Sequence, residues 1–167
     1  MPLSGETLQV ESLTKVFGRG RPVTAVNDLS FTVHPGRVTG FLGPNGSGKT
    51  TTLRCLLGLV SPTSGRAQIG GHDYVELHDP LRTVGAALEA SGFHPGRTAR
   101  NHLRVVATAA GLPDSRVDEV LDVVGLTEAA RRRVVEFSLG MRQRLALAAA
   151  LVGDPGVLVL DEPANGL

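Results

Sequence analysis

Two stretches near the N-terminus, Leu8 to Leu13 and Ala25 to Val33 (AVNDLSFTV), alternate apolar and polar residues. A period of two suits antiparallel strands with one face on a core, and Gly18–Pro22 supplies a turn between them. Arg37 to Leu42 (RVTGFL) is a short apolar run that predicts a buried strand, and Lys49 to Val60 (KTTTLRCLLGLV) predicts a helix. Ser61–Gly65 is a loop by composition, Arg66 to Ile69 a short strand before Gly70 and Gly71, and Val84 to Leu88 another buried strand. Pro95 and Gly96 then precede three helical segments. The first runs from about Thr98 to Ala110 and is stopped by Gly111 and Pro113. The second, Asp114 to Val124, is expected to be capped by Asp114 and ended by Gly125. The third begins with Ser138 as its cap and runs to about Val152. Asp154-Pro155-Gly156 turns the chain into Val157–Leu160, an apolar strand that ends directly on Asp161 and Glu162.

Strands with one helix, a helical block and a further core strand describe an α/β core carrying an inserted helical subdomain. The expected division puts the core and an antiparallel β subdomain at about 1–88 and 154–167, and the helical subdomain at about 89–153. At 167 residues the chain suits one ordinary domain.

Charge and composition exclude more than they assign. With 17 basic and 16 acidic residues the net charge is +1, so no global field points to nucleic acid or an anionic membrane. The longest apolar candidate, Leu145 to Gly153 (LALAAALVG), is too short to span a bilayer, and the N-terminus lacks the basic flank and apolar run of a secretory signal. The expectation is a soluble intracellular protein. The single cysteine, Cys55, excludes a disulfide framework and reads as a small buried hydrophobe among Leu53, Leu56 and Leu57. His34, His72, His78, His94 and His102 are scattered without metal-ligand spacing, and Arg131-Arg132-Arg133 reads as a solvated helix end.

Against this background Gly43-Pro44-Asn45-Gly46-Ser47-Gly48-Lys49-Thr50 is specific. It matches the phosphate loop G-x-x-x-x-G-K-[ST], between a predicted strand and a predicted helix. The glycines let successive N–H groups curl around a phosphate, and the helix N-terminus, including Thr51, adds its positive dipole end. Lys49 would reach the β- and γ-phosphates, and the Thr50 hydroxyl would ligate Mg²⁺. The chemistry is that of a nucleotide triphosphate site. Asp161 and Glu162 fit its other half, the Walker B pattern of apolar residues followed by Asp-Glu. A parallel strand buried on both faces emits polar chemistry at its C-terminal end. Asp161 would hold Mg²⁺, and Glu162 would orient and deprotonate an attacking water.

Phe137-Ser138-Leu139-Gly140-Met141-Arg142-Gln143-Arg144, shortly before that strand, resembles the LSGGQ signature of ABC-type ATPases. Leu139 and Met141 stand where the consensus has Gly and Gln, a variation similar to that of drug- and bacitracin-export ATPases. The resemblance runs from about Leu8 to Leu167 and implies a RecA-like phosphate-loop core with an antiparallel β subdomain and an inserted α-helical subdomain. It implies that Ser138 and Gly140 contact the γ-phosphate held by an opposite subunit, and that Phe17 stacks on adenine. It also implies a homodimer or heterodimer of ATP-binding subunits with ATP and Mg²⁺. Such a dimer drives a separate transmembrane permease from the cytoplasmic face of the membrane, with no nucleic acid partner. GTPases and kinases leave Ser138–Arg144 unexplained.

Two departures from the family pattern stand out. Glu89 occupies the place of a Gln that senses Mg²⁺ or water. A carboxylate there can ligate Mg²⁺ but adds negative charge beside the γ-phosphate. The family also continues past the loop that Pro163–Leu167 resembles, with a strand ending in a His that contacts the γ-phosphate. The fold is therefore expected to be truncated after the Walker B strand, and this chain alone to be poorly stable and nearly inactive as an ATPase. The leading expectation is the ATP-hydrolysing subunit of an exporter. The alternatives are a remnant that binds nucleotide without efficient hydrolysis, and a soluble ABC ATPase acting on ribosomes or DNA.

Overall fold

The structure, a computed structural model, describes residues 5–18, 20–88 and 92–162. The chain folds as two compact units, Met1–Pro80 and Leu81–Leu167.

In the first unit β1 (Leu8–Phe17) is the central strand of an antiparallel sheet, flanked by β2 (Val23–Val33) and β3 (Ser64–Ile69). Leu8 lies opposite both Val33 and Ile69, which fixes the register. Leu8, Val10 and Leu13 are buried, as is Ile69. The step from Val10 to Leu13 breaks strict alternation, and the ladder absorbs it as an irregularity at Ser12, whose φ is +43°. There the Ser12 N–H donates to Ser30 Oγ at 2.8 Å instead of to a ladder carbonyl.

The helix after the phosphate loop, α1 (Lys49–Leu56), is a turn shorter than the predicted Lys49–Val60. Gly58 ends it. With φ +66° it donates to Cys55 O at 3.1 Å, while Leu59 N donates to Arg54 O at 2.9 Å. These are the paired bonds of a Schellman cap, which needs a residue at ease in the left-handed region. The predicted strand Arg37–Leu42 is corrected: among the described residues it joins no ladder. Val38 is fully exposed and Leu42 nearly so, while Phe41 packs on Phe31 with ring centroids 5.3 Å apart. Apolar content favours a strand only where neighbouring strands take up its backbone groups.

From the unit boundary onward, α2 (Pro80–Thr83) leads into β4 (Val84–Ala87). Then come α3 (Ala99–Ala109), α4 (Asp114–Val123), α5 (Leu139–Leu151) and β5 (Val157–Leu160). The three longer helices enclose one core of Leu103, Val117, Leu121, Leu126, Phe137 and Leu145. Each helix contributes residues at three- and four-residue spacings, such as Ala99, Leu103 and Ala107 of α3. Thr98, where the helix was expected to start, is the N-cap of α3 and accepts from Asn101 N at 3.2 Å. Asp114 does not cap α4. Pro113 holds the cap position, so Asp114 is the first helical residue and pairs with Arg104 at 3.1 Å. β4 and β5 run parallel, Val84 opposite Val157 and Ala87 opposite Leu160. The expectation that this last strand is buried on both faces is also corrected, since Val159 is buried and Leu158 is 44% exposed.

Candidate functional site

In the first unit the phosphate loop lies on the surface between β2 and α1. Gly48 is the N-cap of α1 with φ +89°, and a Cβ there would collide with Ala25 O. Glycine is thus required twice over, by conformation and by the close approach of β2. Gly46 also has positive φ, +80°, with open space where a side chain would be. A Cβ on Gly43 would meet Ser47 Oγ at 2.6 Å, and Ser47 N closes a turn onto Pro44 O at 3.2 Å. Lys49 folds back over the loop, its Nζ donating to Gly43 O at 2.7 Å and Pro44 O at 3.0 Å. The ammonium therefore stands over the ring that the loop backbone describes. Thr50 and Thr51 occupy the first turn of α1, where amide N–H groups have no intrahelical carbonyl to reach.

Thr52, which the sequence reading passed over, is buried and ties α1 to the loop through Thr52 Oγ1 donating to Gly48 O at 2.9 Å. Cys55 is buried as expected; burial pushes its thiol up, with Lys15 pulling against it. Phe17, at the end of β1, is 42% exposed and so offers ring surface to a flat partner. Lys15 Nζ lies 4.9 Å from the Phe17 ring centroid and donates to Ser61 O at 2.8 Å. Lys15 was legible only as one of two lysines in the chain, and nothing in its spacing marked it as Phe17's neighbour.

The remaining predicted residues belong to the second unit. Ser138 is the N-cap of α5 and accepts from Met141 N at 3.2 Å, so the signature motif opens a helix and Gly140 lies in its first turn. Asp161 continues the β5 ladder, donating from its N–H to Ala87 O at 2.9 Å. Glu162 follows with φ +48°, left-handed for a non-glycine, and its carbonyl accepts from Gln143 Nε2 at 3.2 Å. The link between α5 and Glu162 was not foreseen. Glu89 and Pro163–Leu167 lie outside the described residues. Among the described residues no group of three or more His, Cys, Asp or Glu could hold a metal ion. A Mg²⁺ that travels with phosphate oxygens needs no such cage, only one or two protein oxygens.

A glycine loop closed by a lysine at a helix N-terminus fits a polyphosphate, which defines the class as a phosphate-loop nucleotide-binding fold. The ABC transporter family model matches residues 26–165, and the chain belongs to that family. It is 43% identical over 162 residues to the bacitracin transport ATP-binding protein BcrA of Bacillus licheniformis, covering 96% of this chain and 52% of that protein. It is 37% identical over 160 residues to the lantibiotic transport ATP-binding protein SrtF of Streptococcus pyogenes, covering 96% and 68%. The chain thus spans about half the length of the first of these relatives. In fold it is similar to a dimeric ATP-binding cassette in a post-hydrolysis state bound to ADP and Pi, with TM-score 0.87 and 23% identity over 96% of this chain and 75% of that one.

Proposed function

We propose that this chain is the ATP-binding and ATP-hydrolysing part of an exporter whose transmembrane permease is a separate polypeptide. The observation that carries the reading is the Lys49 ammonium held over Gly43 O and Pro44 O at the mouth of α1. Triphosphate oxygens would take over that ammonium, while loop and helix N–H groups bind the remaining charge. Mg²⁺ would be held by Thr50 and Asp161, with Glu89 as a further oxygen ligand, and Phe17 would stack on the base. Glu162 acts as the general base on the attacking water, and Ser138 and Gly140 face the nucleotide of a second ATP-binding subunit. The segment 89–153 is the helical subdomain, and 1–88 with 154–167 the core and β subdomain.

The export reading is supported by the names of BcrA and SrtF, both transport ATP-binding proteins. Among the described residues no helix is long and apolar enough to cross a membrane, in keeping with a peripheral subunit docked on the cytoplasmic side of a permease.

The test is Mg-ATP binding and phosphate release by the intact protein. Lys49→Ala should weaken nucleotide binding at least about tenfold. Glu162→Gln should retain binding and lose about 100- to 10,000-fold in turnover, the range for a lost general base. Turnover unchanged in Glu162→Gln would remove Glu162 from the mechanism, and unaltered affinity in Lys49→Ala would remove the loop.

A further inference from the structure

Glu162 sits at an awkward point of the backbone. Its neighbour Asp161 is held in the strand ladder by the 2.9 Å bond to Ala87 O, so β5 stays in register up to that residue. One residue later φ becomes +48°, a region that a non-glycine residue occupies only when its surroundings hold it there. The direction in which the Glu162 carboxylate leaves the strand depends on that reversal. Across from it Gln143, on the second turn of α5 and half-buried, donates its side-chain amide to Glu162 O at 3.2 Å. Gln143 lies three residues after Gly140 and four before Leu147, so the three share one helix face, and Leu147 packs against the helical core. The donor is thereby mounted on a packed element.

We propose that Gln143 is a positioning residue for Glu162: its amide fixes the left-handed backbone of Glu162 and so sets where the carboxylate stands relative to the attacking water. In this role Gln143 acts through the Glu162 backbone and takes no proton itself. The proposal rests on the reading of Glu162 as general base, and it adds a requirement for a hydrogen-bond donor at position 143. A general base must stand within hydrogen-bond reach of the proton it takes. A displacement of the order of 1 Å costs about 100-fold in rate.

The experiment compares Gln143→Met, which keeps the shape and removes the donor, with Gln143→Glu, which sets an acceptor against the carbonyl. Gln143→Lys restores a donor, and Glu162→Gln is the reference. Each is made in the intact protein. The readouts are kcat and KM for Mg-ATP, the melting temperature, and the temperature dependence of the Gln143 side-chain amide proton shifts. Met and Glu should lower kcat about 10- to 100-fold with KM within twofold, Lys should recover most of the loss, and Gln143→Met should add nothing in the Glu162→Gln background.

If kcat is unchanged in Gln143→Met while Glu162→Gln is inactive, the positioning role is overturned and the general base stands. If Glu162→Gln retains turnover, the general-base reading fails and the positioning role with it. If Gln143→Met loses turnover only in step with its melting temperature, the residue is structural and the proposal is overturned. Should the wild-type protein turn over no ATP, the amide protons decide: a shift with the temperature dependence of a solvated amide overturns the tether.

Discussion

At Gly48 the phosphate loop and the first sheet compete for the same space. The residue combines φ +89° with a backbone contact so close that a Cβ would strike Ala25 O, so even alanine cannot be accommodated by adjusting a side chain. Left-handed backbone costs an ordinary residue about 1–2 kcal/mol, before the collision is counted. Gly48→Ala should therefore lower the unfolding free energy by at least ~1 kcal/mol, and nucleotide affinity should fall with it because Lys49 begins the helix that Gly48 caps. Urea unfolding and equilibrium nucleotide binding measure the two effects; an Ala variant normal in both would show that the loop has room to move. His102 poses a different question. Burial, reinforced by the Arg97 charge, lowers its pKa from 6.5. Its ring packs edge-on against Phe93 at 4.9 Å, and Nδ1 is buried without a hydrogen-bond partner among the described residues. Above pH 6.5 both folded and unfolded states hold it neutral, so its share of stability is fully present. As pH falls through that value the unfolded chain takes up the proton first, and stability drops until the lower folded pKa is passed. Denaturant melts between pH 7.5 and 5 should show a loss in the wild-type protein that is smaller in His102→Gln. Equal slopes would mean that His102 titrates alike in both states.

Among the elements, helix starts were legible wherever a hydroxyl residue stood before a periodic apolar run. Ser138 caps as its position predicted, and Thr98, read only as the start of its helix, caps in the same way, each through its side-chain oxygen and the amide three residues on. Asp114 misled because a carboxylate at a helix start has two uses. Placed one residue later than the cap, it complements the helix dipole and meets Arg104, while Pro113 supplies the extended backbone of the cap itself. The two arrangements have the same sequence signature, so only the backbone distinguishes them. Removing a true cap should be measurable. Thr98→Ala should destabilise the protein by about 1 kcal/mol and Thr98→Ser by a few tenths, whereas Asp114→Ala should fall within about 0.5 kcal/mol, because it removes only an exposed ion pair and a dipole contact. Chemical denaturation of the three variants side by side checks the order. An Asp114→Ala loss equal to that of Thr98→Ala would restore the cap assignment.

For the molecule as a whole, what could be read in advance was whatever a few neighbouring residues decide among themselves. The phosphate loop bends because of its own glycines and closes because Lys49 reaches Gly43 O and Pro44 O, six and five residues back. Strand content is decided by distant partners, and there the reading from apolar runs divided. Val10 and Val38 are the same residue type in runs predicted to be strands, yet Val10 is 1% exposed between two paired strands and Val38 is 104% exposed and unpaired among the described residues. Hydrophobicity marked both, and pairing separated them. The Gln143–Glu162 bond escaped notice for the same reason, since its two ends are 19 residues apart and nothing in either residue names the other. The contrast between the two valines can be put to a measurement on this chain. Val→Thr keeps the branched shape while trading a methyl for a hydroxyl, so its cost reports burial. Val10→Thr should lower stability by about 1–3 kcal/mol, and Val38→Thr should leave it within about 0.5 kcal/mol while raising solubility, because it removes apolar surface from an exposed run. If Val38→Thr costs as much as Val10→Thr in urea melts, then 37–42 is buried in solution, and the strand predicted from its sequence forms after all.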